Sequence, residues 1–510
     1  MNTIRKDFRK VEIKIALCYP NLYQAGIACY AIQLIYTLFN SYENIQCERF
    51  YYTPKKPPLS IESGQPLKNF EIICFSLQYE LDYMNMLEIL SFTGLPIASE
   101  KRTSHLIVAG GPCALENPLP LSSFVDIFVL GDLEPILDQF IFYLSEYKKG
   151  HKDLHDFLDI PGLFIPKYHE GEKIPKIVTK DLNDYPHPTK QIVSEASSFG
   201  KSLLLEVTRG CPRGCRFCLI GYQGLPMRVR SLSTLKQIIL DGIEYSKVDK
   251  ISLIGSSLSD YPHLKELCAF IGEQSLNLSL PSMRIDTFSE QLLELLNSLG
   301  VKTISIAPEA GSSRLRSAIG KTIPEEILLD SLAKFSNAQI ANLKMYFLIN
   351  LPTETPQDIE AIQGLLNTVT QKYYPPKHIH LSINPFIPKP HTPFQWEPPI
   401  SLIHLQKIIK SLQKHIKKLK IYDYNFLDPR WARIQGILSR GTEFIGELLV
   451  KILQNGGSLG AWRKILKEEN YSIEKSQKFR PTFDEDLPWD FIEVNVAKKK
   501  LLILYQKTHD

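Results

Sequence analysis

The chemistry in this chain concentrates in one octapeptide, Cys211-Pro212-Arg213-Gly214-Cys215-Arg216-Phe217-Cys218. It sets three thiols at C-x3-C-x2-C spacing. A soft, all-thiolate site of this kind suits zinc or an iron–sulfur cluster. Structural zinc sites close with four protein ligands, commonly as two closely spaced cysteine pairs. The chain has nine cysteines, and those outside the octapeptide are scattered singly, the next along being Cys268. No second pair is on offer. Three thiolates on an iron–sulfur cubane leave one iron open to a substrate or cofactor. Two readings therefore stand: a cluster with an open iron, and a zinc knuckle short of its fourth ligand.

Other reactive residue types fall just after short apolar runs. They are Ser256-Ser257, Arg284 with Asp286, Glu309 with Lys321 beyond it, and Asn350 at the head of Asn350–Thr355. Arg284 and Asp286 read either as ligands or as a structural ion pair. The proline-rich stretch Asn384–Trp396 carries Lys389, His391, Phe394 and Trp396. Its prolines forbid a continuing central strand. Lys389 and His391 are candidate substrate contacts with Phe394 and Trp396 as an apolar wall, or the loop simply plugs the fold. No residue is singled out as a catalytic acid, base or nucleophile.

The composition is that of an ordinary globular protein, 44% hydrophobic and 22% charged over 510 residues. The net charge of +4 is too mild to imply a nucleic-acid partner by itself. Single cysteines argue against a disulfide framework and for a reducing cytoplasm. Met1–Arg9 is polar, without the apolar core of a signal peptide. The best apolar run, Ile27–Phe39, is interrupted by Gln33 and falls short of the ~20 residues a membrane span needs. The expectation is a cytoplasmic protein with no membrane segment.

The elements that must position these groups are legible in outline. Residues 1–150 alternate strand and helix signals: Ile13–Tyr19, then the helix-length Ala28–Asn40, then Ile72–Leu77, Leu106–Ala109 and Ile127–Leu130. That alternation predicts a parallel sheet with helices on both faces. Ligands of such sheets sit beyond the carboxyl ends of the strands. Those ends are glycine-rich or polar here, at Asn21–Gly26, Gly110-Gly111-Pro112 and Gly131-Asp132. No G-x-G-x-x-G follows the first strand, so a dinucleotide is a poor fit. Residues 151–199 read as a connector with a hairpin around Ile174–Val178. Residues 200–395 repeat the strand–helix pattern with strands at Leu203–Val207, Lys250–Ile254, Leu278–Met283, Thr303–Ile306, Leu343–Ile349 and His378–Ile383. Six such units predict a partial barrel with its chemistry at the C-terminal strand ends, which is where the octapeptide falls. Residues 396–510 read as helical, with Leu402–Leu419 amphipathic and lysine-rich on one face. The fold class is α/β: a Rossmann-like parallel-sheet domain, a partial (β/α)6 barrel and a C-terminal helical region.

The cysteine spacing, with Phe217 just before the third thiol, resembles the cluster loop of the radical S-adenosylmethionine (SAM) enzymes. Cys211–Arg230, Ile304–Lys321, Leu343–Thr355 and Asn384–Trp396 together look like one uncharacterised family of that superfamily, over residues 10–465. The resemblance implies a [4Fe–4S] cluster on Cys211, Cys215 and Cys218, and SAM at its open iron. It implies that Ser256-Ser257 bind the methionine amine through backbone, Glu309 the ribose and Lys321 the carboxylate. Asn350 stands where the family pattern has glycine. It also implies a reductant such as ferredoxin or flavodoxin; the substrate, RNA, protein or small molecule, is left open. The strand ends Tyr19–Gly26, Phe75–Glu80, Gly110–Cys113 and Gly131–Glu134 resemble the cobalamin-binding type of domain, with Gly110 and Gly111 giving the corrin ring room. The D-x-H-x-x-G motif for a lower histidine ligand is missing, since Asp153-Leu154-His155 lacks the glycine. The function expected is SAM cleavage to a 5′-deoxyadenosyl radical that modifies an unactivated C–H position, with cobalamin-dependent methyl transfer as one outcome. The alternatives are a cobalamin-independent enzyme whose first domain recognises substrate, and a zinc-stabilised RNA-binding protein without catalysis.

Overall fold

Apolar runs without polar alternation fold as strands covered on both faces. In the computed structural model, which describes residues 2–7, 9–399, 401–472 and 485–509, five strands make a parallel sheet, four of them largely apolar runs of this kind. They are β1 (Ile13–Tyr19), β2 (Ile45–Tyr51), β3 (Ile72–Ser76), β4 (Leu106–Gly110) and β5 (Ile127–Val129), ordered β2-β1-β3-β4-β5. A short antiparallel β6 (Leu163–Phe164) edges β5. With β2 on one side of β1 and β3 on the other, chain direction switches between β1 and β3, and a crevice opens at their carboxyl ends. Strand β2 lay outside the sequence expectation because it reads Ile-Gln-Cys-Glu-Arg-Phe-Tyr, and its polar residues obscure it. Its Arg49 is fully buried and held by Glu62 at 2.8 Å.

The two faces of this sheet are covered from different parts of the chain. Ile15 and Leu17 pack with Tyr36, Leu38, Phe140 and Leu144, from the helices Tyr30–Asn40 and Leu137–Lys148. Ala16 and Cys18 pack instead with Met86 and Leu87, and with Leu448, Leu449 and Trp462 from Phe444–Gln454 and Leu459–Glu468. The C-terminal helices thus share the cover of one face of the first sheet with the helix Tyr83–Ser91. The connector forms no hairpin at 174–178. Its β7 (Ile174–Pro175) pairs in parallel with Ile492–Glu493, far along the chain.

The core begins with β8 (Leu203–Glu206), and β9 (Thr208–Arg209) and β10 (Arg228–Val229) close an antiparallel ladder around the cysteine loop. Then come β11 (Lys250–Ile254), β12 (Asn277–Ser279), β13 (Thr303–Glu309), β14 (Asn342–Ile349), β15 (Ile379–Pro385) and β16 (Asp423–Phe426). Strands β8, β11 and β12 are parallel neighbours, as are β13 to β16, and a Met283–Ile306 bridge links the two groups. The arc runs in chain order from β8 to β16 and is open between them. Strand β16 interrupts the stretch expected to be helical. Its Asp-Tyr-Asn-Phe sequence has no apolar run, and it is held by the ladder to β15. Between strands, serine and threonine start the helices: Ser231, Ser289 and Ser312 accept from backbone N–H groups, and Thr355 with Asp358 forms a capping box behind Pro356.

Leu402–Lys418 buries Leu405, Ile408, Ile409, Leu412 and Ile416 on the core and leaves its lysines outward. The end of the chain, Lys498–His509, packs Leu501 and Tyr505 against Phe386, Phe394, Trp396 and Trp489. Phe394 and Trp396 are therefore the interior of a plug. No described helix is long and apolar enough to cross a membrane.

Because Leu449 is fully buried under the first sheet, Leu449→Ala is expected to cost about 2–5 kcal/mol of stability. A fragment ending at residue 199 should also bind hydrophobic dye, since one sheet face loses the C-terminal part of its cover. A dye-free, monodisperse fragment would contradict this packing.

Candidate active site between the two sheets

The cysteine loop hangs between β9 and β10, at the carboxyl end of the first core strand. Gly210, which precedes it, has φ +84°, and a Cβ there would stand 2.0 Å from the Gly224 carbonyl. Only glycine lets the two stems of the loop touch. The loop is then pinned from several sides. Arg216 N donates to Ile319 O at 2.8 Å, and its guanidinium reaches Ala318 O and Thr508 Oγ1. The Tyr222 hydroxyl donates to Gly214 O at 3.1 Å. Pro212, Arg213 and Gly214 are exposed, whereas Cys215 is buried. Burial pushes the Cys215 thiol up to about 11; Lys321 opposes this, while Cys218, Glu309 and Cys211 add to it. Burial likewise raises Cys218. Thiols crowded in this way stay protonated until a cation displaces their protons, and metal binding supplies that driving force.

The other strand ends are gathered around the loop. Glu309, at the end of β13 with φ +65°, pairs with Lys321 at 3.0 Å, and both act on Cys215. Burial raises the Glu309 carboxyl and Lys321 holds it down. Ser257 gives its hydroxyl to Asp260, which also takes the Arg213 guanidinium from the cysteine loop; Ser256 stays exposed and lines the cavity described below. Arg284 and Asp286 face each other at 2.7 Å. Asn350 adopts φ +64°, a conformation asparagine tolerates in place of glycine. Its N–H and that of Leu351 donate to Glu354, whose carboxyl burial raises to about 7.

A cavity of about 370 Å3 runs between the two sheets. Its inner end lies within the first domain's layers, against Leu17 and Val108 of the sheet and Leu34, Leu38, Phe39 and Phe140 of the covering helices. Its outer end is walled by Gln78, Gly110 and Gly111 from one sheet, and by Gly210, Ile220 and Ser256 from the core. Gly110 has room, since a Cβ would meet nothing closer than 3.7 Å. Gly111 is required by the chain itself: it has φ +104°, and a Cβ would stand 2.6 Å from Leu77 O. Three residues of the walls, Tyr30, Gln223 and Arg228, each keep a buried polar atom (Oη, Nε2 and Nε) without a hydrogen-bond partner, just behind the lining surface. All three can donate, so the walls are matched to a ligand rich in acceptors.

One guanidinium ties the cavity's two sides. Arg209 contacts Asp132 at 3.1 Å and Glu134 at 2.9 Å, both beyond β5, and Glu206 of β8 at 2.8 Å. Arg228 adds a second grip on Asp132 at 2.7 Å. Burial would raise the Asp132 carboxyl, but Arg209 and Arg228 outweigh it and hold it below its ordinary value.

The family described as "Radical SAM superfamily" matches residues 205–366, and "Radical SAM proteins, N-terminal" matches residues 31–166. An uncharacterized protein of Methanocaldococcus jannaschii is 34% identical over 86% of this chain and 91% of its own length. The chain belongs to the radical SAM superfamily. An uncharacterized methyltransferase of Pyrococcus horikoshii is 23% identical, over 53% of this chain and 60% of that protein. Among solved structures, the radical SAM methyltransferase TsrM of Kitasatospora setae, with cobalamin and a [4Fe–4S] cluster bound, shares the fold at a TM-score of 0.54. It is 16% identical, over 75% of this chain and 74% of that one. OxsB, a cobalamin-dependent SAM radical enzyme with aqua-cobalamin bound, aligns with 98% of this chain and 79% of its own at a TM-score of 0.52 and 13% identity. The α/β architecture read from the sequence, sheet domain before barrel, is the one these enzymes share.

Within this radical SAM fold, Lys389 and His391 are not free substrate contacts. Lys389 leaves β15 and pairs with Glu80 beyond β3 and, at 3.4 Å, with Glu116. Glu80, Cys113 and Glu116 bring ligand atoms within 4.8 Å of one another, but the Lys389 ammonium already serves as the cation among them. Gln435 donates to the second oxygen of Glu80 at 2.8 Å. Burial lowers the Lys389 ammonium and drives the Glu116 carboxyl well up, while the contact with Glu80 favours the charged lysine. His391 is 4% exposed, and burial takes its ring down to about 3, so it stays neutral. The cluster joins first domain, core exit loop and C-terminal helix. Sequence reasoning missed it because Glu80 and Lys389 lie far apart in the chain; the polar strand end Phe75–Glu80 was its one signal.

Asp82, beside this cluster, is 3% exposed and accepts from Asn21 and Asn85. Burial raises its carboxyl from 3.8 to about 6. The folded state then binds the proton more tightly than the unfolded one, so stability falls as pH rises from 3.8 through 6. The total is on the order of 2–3 kcal/mol. Asp82→Asn should abolish that decline, read as the difference between the two stability–pH profiles. Parallel profiles would show that Asp82 is not held in this environment.

Proposed function

We propose that this protein is a corrinoid-using radical SAM enzyme that transfers a methyl group to an unactivated carbon of its substrate. The observation that carries this reading is the continuous cavity from the cysteine loop into the parallel-sheet domain, with three unpartnered donors on its walls. A corrinoid presents amide carbonyls and a phosphate around its rim and a base at the end of its nucleotide tail, which suits donors outside and hydrocarbon within. The residues fit the group.

When bound, the cluster supplies the electron that cleaves SAM to methionine and a 5′-deoxyadenosyl radical, and the corrinoid supplies the methyl group. The chain's own residues do the rest. Cys211, Cys215 and Cys218 hold the cluster and leave one iron free. Glu309 and Lys321, next to these thiols, offer a carboxylate for ribose hydroxyls and an ammonium for a carboxylate, joined by the backbone at Ser256 and Asn350. Tyr30, Gln223 and Arg228 orient the corrinoid, and open Gly110 leaves room beneath it. The Phe394–Trp396 plug and the final helix cover the loop on its Phe217 and Tyr222 side, which limits water there and protects a radical from quenching. An acidic electron carrier of the ferredoxin or flavodoxin type would reach the cluster at the exposed Pro212–Gly214 tip.

The names of the relatives support the methyl-transfer outcome, since TsrM and the Pyrococcus protein are both called methyltransferases. A putative methylthiotransferase of Methanocaldococcus jannaschii is also similar, 26% identical over 38% of this chain. Sulfur insertion, however, would call for a second cluster motif that the sequence does not contain.

Protein made anaerobically with abundant cobalamin should carry about four iron, four sulfide and one cobalt per chain. Cys215→Ala should lose the iron and sulfide and keep cobalt, while Cys268→Ala keeps all three. A full cluster without cobalt would overturn the corrinoid reading, and zinc in place of iron would overturn the cluster.

A further inference from the structure

The inner half of the cavity differs in kind from its mouth. Leu34, Leu38 and Phe39 come from one helix, Phe140 from another, and Leu17 and Val108 from the sheet. The heteroatom these surroundings add is the Cys74 sulfur, on a thiol that burial pushes up to about 12 and so keeps neutral. The strand backbone here is spent in the ladders Leu17↔Cys74 and Cys74↔Val108. The helix backbone is spent within its own helix. A ligand group that enters this chamber meets hydrocarbon and one weak donor, the Cys74 thiol, with the Ser76 hydroxyl two residues nearer the mouth. The unpartnered donors stand at the other end, with Tyr30 in the first turn of the helix that carries Leu38. Between those two residues the helix advances about 12 Å, enough to separate a polar sugar–phosphate from the base beyond it.

We propose that this chamber holds the nucleotide tail of the corrinoid and selects its lower base. It takes an apolar base, of the benzimidazole or phenol type, and rejects a purine. This rests on the corrinoid reading above and adds to it which corrinoid is used. Adenine brings an exocyclic amine and additional ring nitrogens, and the chamber would bury them unpaired. A buried polar group left without a partner lowers affinity by about tenfold or more. Hydrocarbon walls exert this kind of discrimination strongly against groups that need a hydrogen bond, and only weakly between apolar rings of similar size. The tail must also contribute to affinity, so a corrinoid that lacks the nucleotide should bind weakly.

The test is binding, measured without turnover. Iron-replete wild-type protein is titrated with cobalamin, a phenolyl cobamide, an adeninyl cobamide and cobinamide, which has no nucleotide tail. Binding is read by tryptophan fluorescence and by cobalt retained on gel filtration. Cobalamin and the phenolyl form should bind comparably, with the adeninyl form about tenfold or more weaker and cobinamide weaker than cobalamin. Leu34→Trp, which fills the chamber from the helix wall, should bring cobalamin down to the level of cobinamide while iron content stays unchanged. Equal or tighter binding of the adeninyl form, or unchanged cobalamin affinity in Leu34→Trp, overturns the proposal. If no corrinoid binds the iron-replete protein, the corrinoid reading itself fails and this inference goes with it.

Discussion

Everything in the site depends on the charge cluster around Arg209. One guanidinium is shared by Asp132 and Glu134 of the first domain and Glu206 of the core, two positions before the first cysteine of the loop. Its value lies less in net stability than in geometry. A buried ion pair roughly breaks even against a hydrophobic contact, whereas removal of one partner costs about 3–5 kcal/mol because a charge is stranded. Such a cluster therefore tolerates one arrangement of the two sheets and penalises others. It also settles which groups remain available: with Asp132, Glu134 and Glu206 all engaged, the cavity mouth presents donors in Tyr30, Gln223 and Arg228 and no free carboxylate among these.

The rest of the fold supports that junction from behind. The C-terminal helices complete the first sheet, and Lys389 ties the core's exit loop to Glu80 and Glu116. The last helix closes the plug beside the cysteine loop through Thr508 and Arg216. The first domain is thus not a detachable module. Its cover depends on the C-terminal helices, and its cavity and its alignment to the loop depend on Glu206, Arg209 and Arg228 of the core. The two ends of the cavity then divide the work by polarity, hydrogen bonds at the mouth and hydrocarbon inside.

Much of this was legible in the sequence, and for identifiable reasons. β3, β4 and β5 are near-continuous apolar runs and β1 is broken only by Lys14, as parallel strands buried on both faces require. The cysteine loop was legible because its spacing is local, and the turn at Asn350 because asparagine is the residue that stands in for glycine at positive φ. What stayed hidden was set by distance in the chain or by backbone alone. β2 buries Gln46, Glu48 and Arg49, polar groups made tolerable by Glu62 on Arg49 and by Ser63 and Gln46 on Glu48. β16 and the pairing of Ile174 with Ile492 are too short to show any period. Lys389 looked like an active-site cation because its position after a core strand was readable and its partner Glu80 was not. Gly111 looked like ligand clearance, whereas the Leu77 carbonyl accounts for it.

The central claim is that one cavity brings a corrinoid next to the cluster held by Cys211, Cys215 and Cys218. The most direct measurement is electron paramagnetic resonance of the fully loaded, reduced protein, in which both cobalt(II) and the cluster carry unpaired spin. Spins in adjoining walls of one cavity should broaden and split each other's signals. Removal of the cluster by Cys215→Ala should restore the spectrum of an isolated cobalt centre. Two unperturbed spectra that simply add would place the centres apart and contradict this account of the site.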